Sequence, residues 1–176
     1  MKEIILSQKG ITLIEVLIAA LLTFVVGSAA LEFYALQHNQ WLAQEDISDM
    51  QQNARVALDE ITTNVRKAGF GVVANHPTLL LGTDSIIVFI KDSTKIDTIS
   101  YYIDRHNSRN PNLMKKVNSL YPTIFAENIE SLTFNKVGKL VTLTIVAREK
   151  RKDPHYIGDH YRRRTLVSKA EVRNRV

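Results

Sequence analysis

The most specific chemistry in the chain is packed into its first fifteen residues. Gly10 stands directly ahead of a long apolar run, and Glu15 is the one charge inside that run. An ordinary export signal places its small-residue cleavage site after the apolar stretch, so that cleavage removes the stretch. Here the small residue comes first, and a cut after Gly10 leaves the apolar segment attached. Such a cut creates a positive α-amine on Ile11, one helical turn from Glu15. An ionised carboxylate inside a bilayer costs about 2.5–3.5 kcal/mol or more unless it finds a partner or an interface. Two readings of Glu15 follow. In an assembly it pairs with the Ile11 amine of a neighbouring copy and sets the register. In a lone chain it snorkels toward the nearby interface. The position of Gly10 favours the first.

A second group of chemistry-bearing residues lies near the C-terminus. Arg148, Lys150, Arg151, Lys152, Arg162, Arg163 and Arg164, with Tyr156 and Tyr161 between them, have the composition of an anion-binding or nucleic-acid surface. The sequence favours a solvated loop, or a basic face meeting an acidic neighbour, over nucleic acid. Asp153, His155, Asp159 and His160 share that loop and could together bind a cation, but polar loops commonly collect such residues and no histidine spacing defines a metal motif. No nucleophile elbow, phosphate loop or dinucleotide fingerprint is present. The adjacent carboxylates Asp59 and Glu60 read as a solvated helix surface rather than acid–base machinery. The expectation is a non-enzyme with no cofactor and no metal.

The elements that carry these groups can be read from periodicity. Ile11 to Leu31 is 21 residues of nearly unbroken apolar sequence, enough at about 1.5 Å per residue to cross a hydrocarbon core of roughly 30 Å. Thr12, Thr23 and Ser28 can satisfy their hydroxyls on the helix backbone. Lys2 and Lys9 precede the run, and Glu32, Glu45, Asp46 and Asp49 follow it. Basic flanks stay cytoplasmic, which puts the N-terminus inside and the rest of the chain outside. Beyond Leu31 the pattern becomes amphipathic. Ile47, Met50, Ala54, Leu58, Ile61, Val65 and Ala68 recur at spacings of three and four, the stripe of a helix that packs on a sheet. Gly69 and Gly71 end it, and Gly27 is the softest point of the apolar span before it.

The remainder reads as strands: 85–90, 97–103, 113–117, 129–136, 140–148 and 165–173. Leu132, Phe134, Val141, Leu143 and Ile145 take inward positions, and Gly138 lies in a tight hairpin turn. Polar loops are expected at 104–112 and 149–164. The expected architecture is α+β: a leader over 1–10, a transmembrane helix over 11–31, an amphipathic helix over 32–71 and a β-rich head over 72–176.

At 176 residues there is room for one ordinary domain besides the anchor. Mean hydropathy near zero excludes a multi-span transporter. The chain has no cysteine, so disulfides and thiolate chemistry are excluded. Its charge is asymmetric: residues 11–100 carry 5 basic and 10 acidic side chains, and residues 101–176 carry 16 and 7.

The segment Lys9-Gly10-Ile11-Thr12-Leu13-Ile14-Glu15-Val16-Leu17 resembles the class III signal of type IV prepilins and pseudopilins. It departs from the usual pattern in having Ile rather than Phe at position 11, in its apolar leader residues Ile4, Ile5 and Leu6, and in lacking a proline in the span. Three further stretches, 50–58 with 65–71, 127–134 and 172–174, resemble PilW-type minor pilins. Pseudopilins of the GspJ type share the same plan. The resemblance implies a pilin-like fold with the long helix packed on an antiparallel sheet. It also implies cleavage after Gly10 by a membrane prepilin peptidase, N-methylation of Ile11 and an assembly carboxylate at Glu15. The partners it implies are other minor and major pilins, an inner-membrane assembly platform and membrane lipid before assembly. The subunit would sit in the inner membrane with a periplasmic head, then at a pilus or pseudopilus tip.

Overall fold

The computed structural model describes residues 10–73, 76–92, 95–106, 110–153, 156–174. The fold is α+β: among the described residues one long helix is followed by eight strands in two antiparallel sheets, consistent with a pilin-like plan. Helix α1 spans Leu13–Lys67 and is unbroken at Gly27. The chain divides into two compact units, Met1–Ala43 and Gln44–Val176.

In the second unit, the amphipathic stripe of α1 supplies one side of the core. Met50, Ala54, Leu58, Ile61, Val65 and Ala68 are buried, as their spacing predicts, and Ile47 packs on their edge. Ala57 and Thr62 widen the buried face. Full burial of a side chain such as Ile61 is worth about 1.5–3 kcal/mol, so this half of the helix is held by packing. Its C-terminus is fastened in three ways. Gly69 and Gly71 turn the chain with φ of 77° and 68°, values that carry no Cβ penalty in glycine. The Gly69 N–H donates to the Phe89 carbonyl at 2.8 Å, and the Lys91 N–H to the Phe70 carbonyl at 2.9 Å. Finally, the Asn174 amide donates to the carbonyls of Lys67 and Ala68 at 3.4 and 3.2 Å, satisfying acceptors at the helix end.

The first sheet has the order β1-β2-β3-β4-β5. Its strands are β1 Leu79–Leu81, β2 Ser85–Asp92, β3 Lys95–Asp104, β4 Asn112–Val117 and β5 Thr123–Ala126. The second is β6 Ile129–Val137, β7 Leu140–Arg148 and β8 Arg163–Glu171, in that order. Six strands match the sequence reading. The two edge strands β1 and β5 were not expected: at three and four residues they are too short to show an alternation. The last strand ends at Glu171 rather than residue 173, and buried Val172 instead donates to the Lys139 carbonyl at 2.9 Å. The β6–β7 hairpin turns at Gly138 with φ of 60°. Leu132, Val141, Leu143 and Ile145 are fully buried, and Phe134 packs against them.

One polar network crosses the core between helix and sheet. Tyr101 on β3 is fully buried, and its hydroxyl donates to Glu60 Oε1 at 2.7 Å. The Asn64 amide donates to that hydroxyl at 2.7 Å, and Lys115 on β4 reaches the same Glu60 oxygen at 2.5 Å. Glu60 is therefore not the solvated carboxylate that its pairing with Asp59 suggested. Asp59 is exposed, but Glu60 ties α1 to two strands. Burial, then the Glu60 carboxylate, push the Tyr101 hydroxyl far above the usual phenol range, so it remains a donor at every working pH.

Candidate functional site

The N-terminal constellation is built by the start of α1. Gly10 and Ile11 lie in exposed chain ahead of the helix, and a side chain at position 10 would meet nothing within 4 Å. Thr12 is the N-cap residue. Its carbonyl accepts the first helical bond, from the Val16 N–H at 3.3 Å. Its N–H and hydroxyl both donate to Glu15 Oε2 at 2.8 Å, and the Glu15 N–H returns to Thr12 Oγ1 at 3.4 Å. This is a capping box, in which N-cap and N3 side chains satisfy one another's backbone donors. The sequence reading of Glu15 missed it, although the Thr-x-x-Glu spacing carries the signal. The carboxylate thus has a partner within its own chain, in addition to the two roles considered above.

Behind this box the helix presents an apolar surface to its surroundings. Leu13, Ile14, Val16, Leu17, Ile18, Leu21, Leu22, Phe24, Val25 and Val26 are each at least half exposed, and no residue of the most apolar stretch is buried. Length and composition suffice to cross a membrane. Two of the three hydroxyls in the span turn inward to the backbone as expected: Thr23 donates to the Ala19 carbonyl at 2.7 Å and Ser28 to the Val25 carbonyl at 2.9 Å; the Thr12 hydroxyl goes to the Glu15 side chain instead. Just past the run, Tyr34, His38 and Trp41 stack along one helix face with centroid spacings of 6.2 and 6.3 Å.

The basic C-terminal residues are gathered differently from a free cationic patch. Arg162 pairs with Asp153 and, at 3.9 Å, with Glu149. Arg163 bridges Glu130, at 2.5 Å, and Asp159. Arg151 reaches Asp46 on α1 at 3.5 Å. Arg148 is buried with its guanidinium over the Tyr161 ring at 4.5 Å, and Lys152 approaches the same ring at 5.6 Å. Lys150 and Arg164 remain exposed. The hydrogen bond from Arg163 holds Asp159 far below the usual carboxylate range. Burial pushes Glu149 up, against the lowering effect of Arg162. Among the described residues no three His, Asp or Glu side chains gather to hold a metal ion. Asp153 and Asp159 face arginines, and His155 lies outside the described residues, as do the leader residues 1–9.

No protein-family model, curated protein or solved structure matches the chain. Its own geometry therefore carries the functional argument. One continuous helix has an exposed apolar half that begins at the Gly10–Glu15 constellation, and its other half is the packing element of a folded head.

Proposed function

We propose that the chain is a minor pilin that primes or caps a type IV pilus. In this reading a prepilin peptidase cuts after Gly10, Ile11 becomes the methylated N-terminus, and the apolar half of α1 anchors the subunit in the inner membrane with its head in the periplasm. The observation that carries the reading is the placement of Gly10 and Glu15 at the threshold of a helix whose apolar first half is exposed. Such a surface demands a non-aqueous partner. Lipid serves before assembly, and the helices of other pilins serve after it, on the inner-membrane assembly platform.

The capping box gives Glu15 a stepwise role. Both Thr12 and Glu15 lie beyond the cut, so cleavage leaves the box intact. In the lone subunit the box lowers the cost of holding the carboxylate in the membrane. Cleavage adds a positive amine at the helix N-terminus, where the helix dipole disfavours it. A neighbour's Glu15 then provides the missing negative charge. The pairing of Arg151, Arg162 and Arg163 with carboxylates supports a structural head over a nucleic-acid surface.

Glu15→Gln separates capping from charge, because the amide still accepts from Thr12. We expect this variant to be processed and folded but to support few or no pili. Normal pilus yield from it would remove the charge from the mechanism. Gly10→Phe should leave the leader uncut, as read by N-terminal sequencing. Deleting the gene in its native host, with sheared pili and secreted proteins both measured, decides the system. Loss of pili with secretion intact is expected. The opposite pattern would make the chain a pseudopilin of a type II secretion system.

A further inference from the structure

A groove of roughly 540 Å³ opens between α1 and β5. Its helix wall is Asp49, Gln52 and Asn53, at the spacing of one helix face. Its other wall is Ile124, Phe125, Ala126 and Glu127. Three consecutive residues of β5, Ile124, Phe125 and Ala126, line the same space, with Glu127 just past the strand's end. Successive side chains of a strand point to opposite faces of the sheet, so a groove that meets all three runs along the strand's edge. That edge is open: β5 is the last strand of its sheet, and among the described residues only β4 pairs with it.

The wall is also pre-built. Phe125 packs edge-on against buried Tyr101, with centroids 5.9 Å apart, and the Lys115 ammonium stands 5.5 Å over its ring. Both partners belong to the Glu60 network, which ties helix to sheet about two turns further along α1. The helix is thus tied at Glu60 to β3 and β4, and the groove lies between Asp49–Asn53 and β5. An open strand edge facing a helix is the arrangement that receives an extended peptide by strand addition, with main-chain bonds giving affinity and flanking side chains giving specificity.

We infer that this groove takes an extended, lysine- or arginine-bearing segment of a second polypeptide as an added strand beside β5. The charge on the walls selects the occupant. Asp49 and Glu127 are carboxylates on opposite sides of the groove, and among the described residues no basic side chain lines it. Gln52 and Asn53 provide amides that can pair with the segment's polar groups. Ile124 is 56% exposed on the strand, and Leu120 and Tyr121, just before it, are 66% and 94% exposed, an apolar margin for β-branched side chains of the incoming strand. The inference uses only residues 44–176 and does not depend on the pilin reading.

The full chain in detergent micelles provides the test. The probe is a fluorescein-labelled six-residue peptide of alternating lysine and valine. Two controls are the same peptide with alternate backbone nitrogens methylated, and one with glutamate in place of lysine. Binding is read by fluorescence polarisation, and edge protection by hydrogen exchange at the amides of 124–127. The expected result is binding of the lysine peptide alone, with new protection at β5. Asp49→Lys and Glu127→Lys should each weaken it by about tenfold. Both positions are exposed, and unchanged thermal transitions would confirm that the fold survives. Equal binding of the N-methylated peptide would overturn strand addition in favour of simple charge attraction. No binding, or unaltered binding by the charge variants, would overturn the site. Self-association of the full chain that Asp49→Lys abolishes would overturn the second polypeptide in favour of another copy of this chain.

Discussion

Tyr101 shows how much a single buried polar atom can organise. Its hydroxyl stands between Asn64 and Glu60 on the helix, with no water-exposed surface of its own. Tyr101→Phe would leave the Asn64 amide without this acceptor and Glu60 with one donor fewer. The expected loss is about 1–2 kcal/mol, a drop of a few degrees in the head's thermal transition. An unchanged transition would mean that the network adds nothing to stability. Glu149 makes a pH-dependent prediction. Burial raises its folded value above the ordinary 4.5, so the folded chain holds this proton more tightly than the unfolded one. That contribution is complete below the ordinary carboxylate range and is lost as pH rises through the raised value. Wild type should therefore lose stability relative to Glu149→Gln between about pH 4 and neutrality. A constant difference between the two across that range would contradict the assignment. Asp159 has the opposite sign: its depressed value gives stability that is present above the ordinary range and lost on acidification.

Elements differ in how openly their sequences declare them. The buried stripe of α1 was legible because a helix on a sheet repeats its apolar contacts every three to four residues, and Met50 to Ala68 do so. Strands β6 and β7 were legible through alternation and a glycine turn. The edge strands β1 and β5 were not, because three or four residues contain too little period to read. The fastening of the helix end by Asn174 was equally hidden, since the donor lies 106 residues beyond Ala68. Asn174→Ala should cost about 0.5–1.5 kcal/mol and speed hydrogen exchange in the last turn of α1. Unchanged protection there would show that the Gly69 and Lys91 backbone bonds suffice.

At the scale of the whole molecule, the division at residues 43 and 44 predicts separable behaviour. Residues 44–176 contain every residue of the hydrophobic core, so this fragment, expressed alone, should fold and melt cooperatively without detergent. A non-cooperative transition would mean that the first unit is needed for the head to form. The amino-acid sequence by itself determined what depends on neighbours along the chain: the apolar run and its length, the Gly10–Glu15 spacing, the helix stripe, the hairpin at Gly138 and the α+β class. Only the tertiary structure decided what depends on residues distant in sequence. It separated the strands into two sheets, turned Glu60 from a surface charge into a tie, matched Arg151, Arg162 and Arg163 with carboxylates, and opened a groove beside β5. The physical reason is that periodicity records which face of an element is buried, whereas the partner met on that face is chosen by the packing of the whole chain.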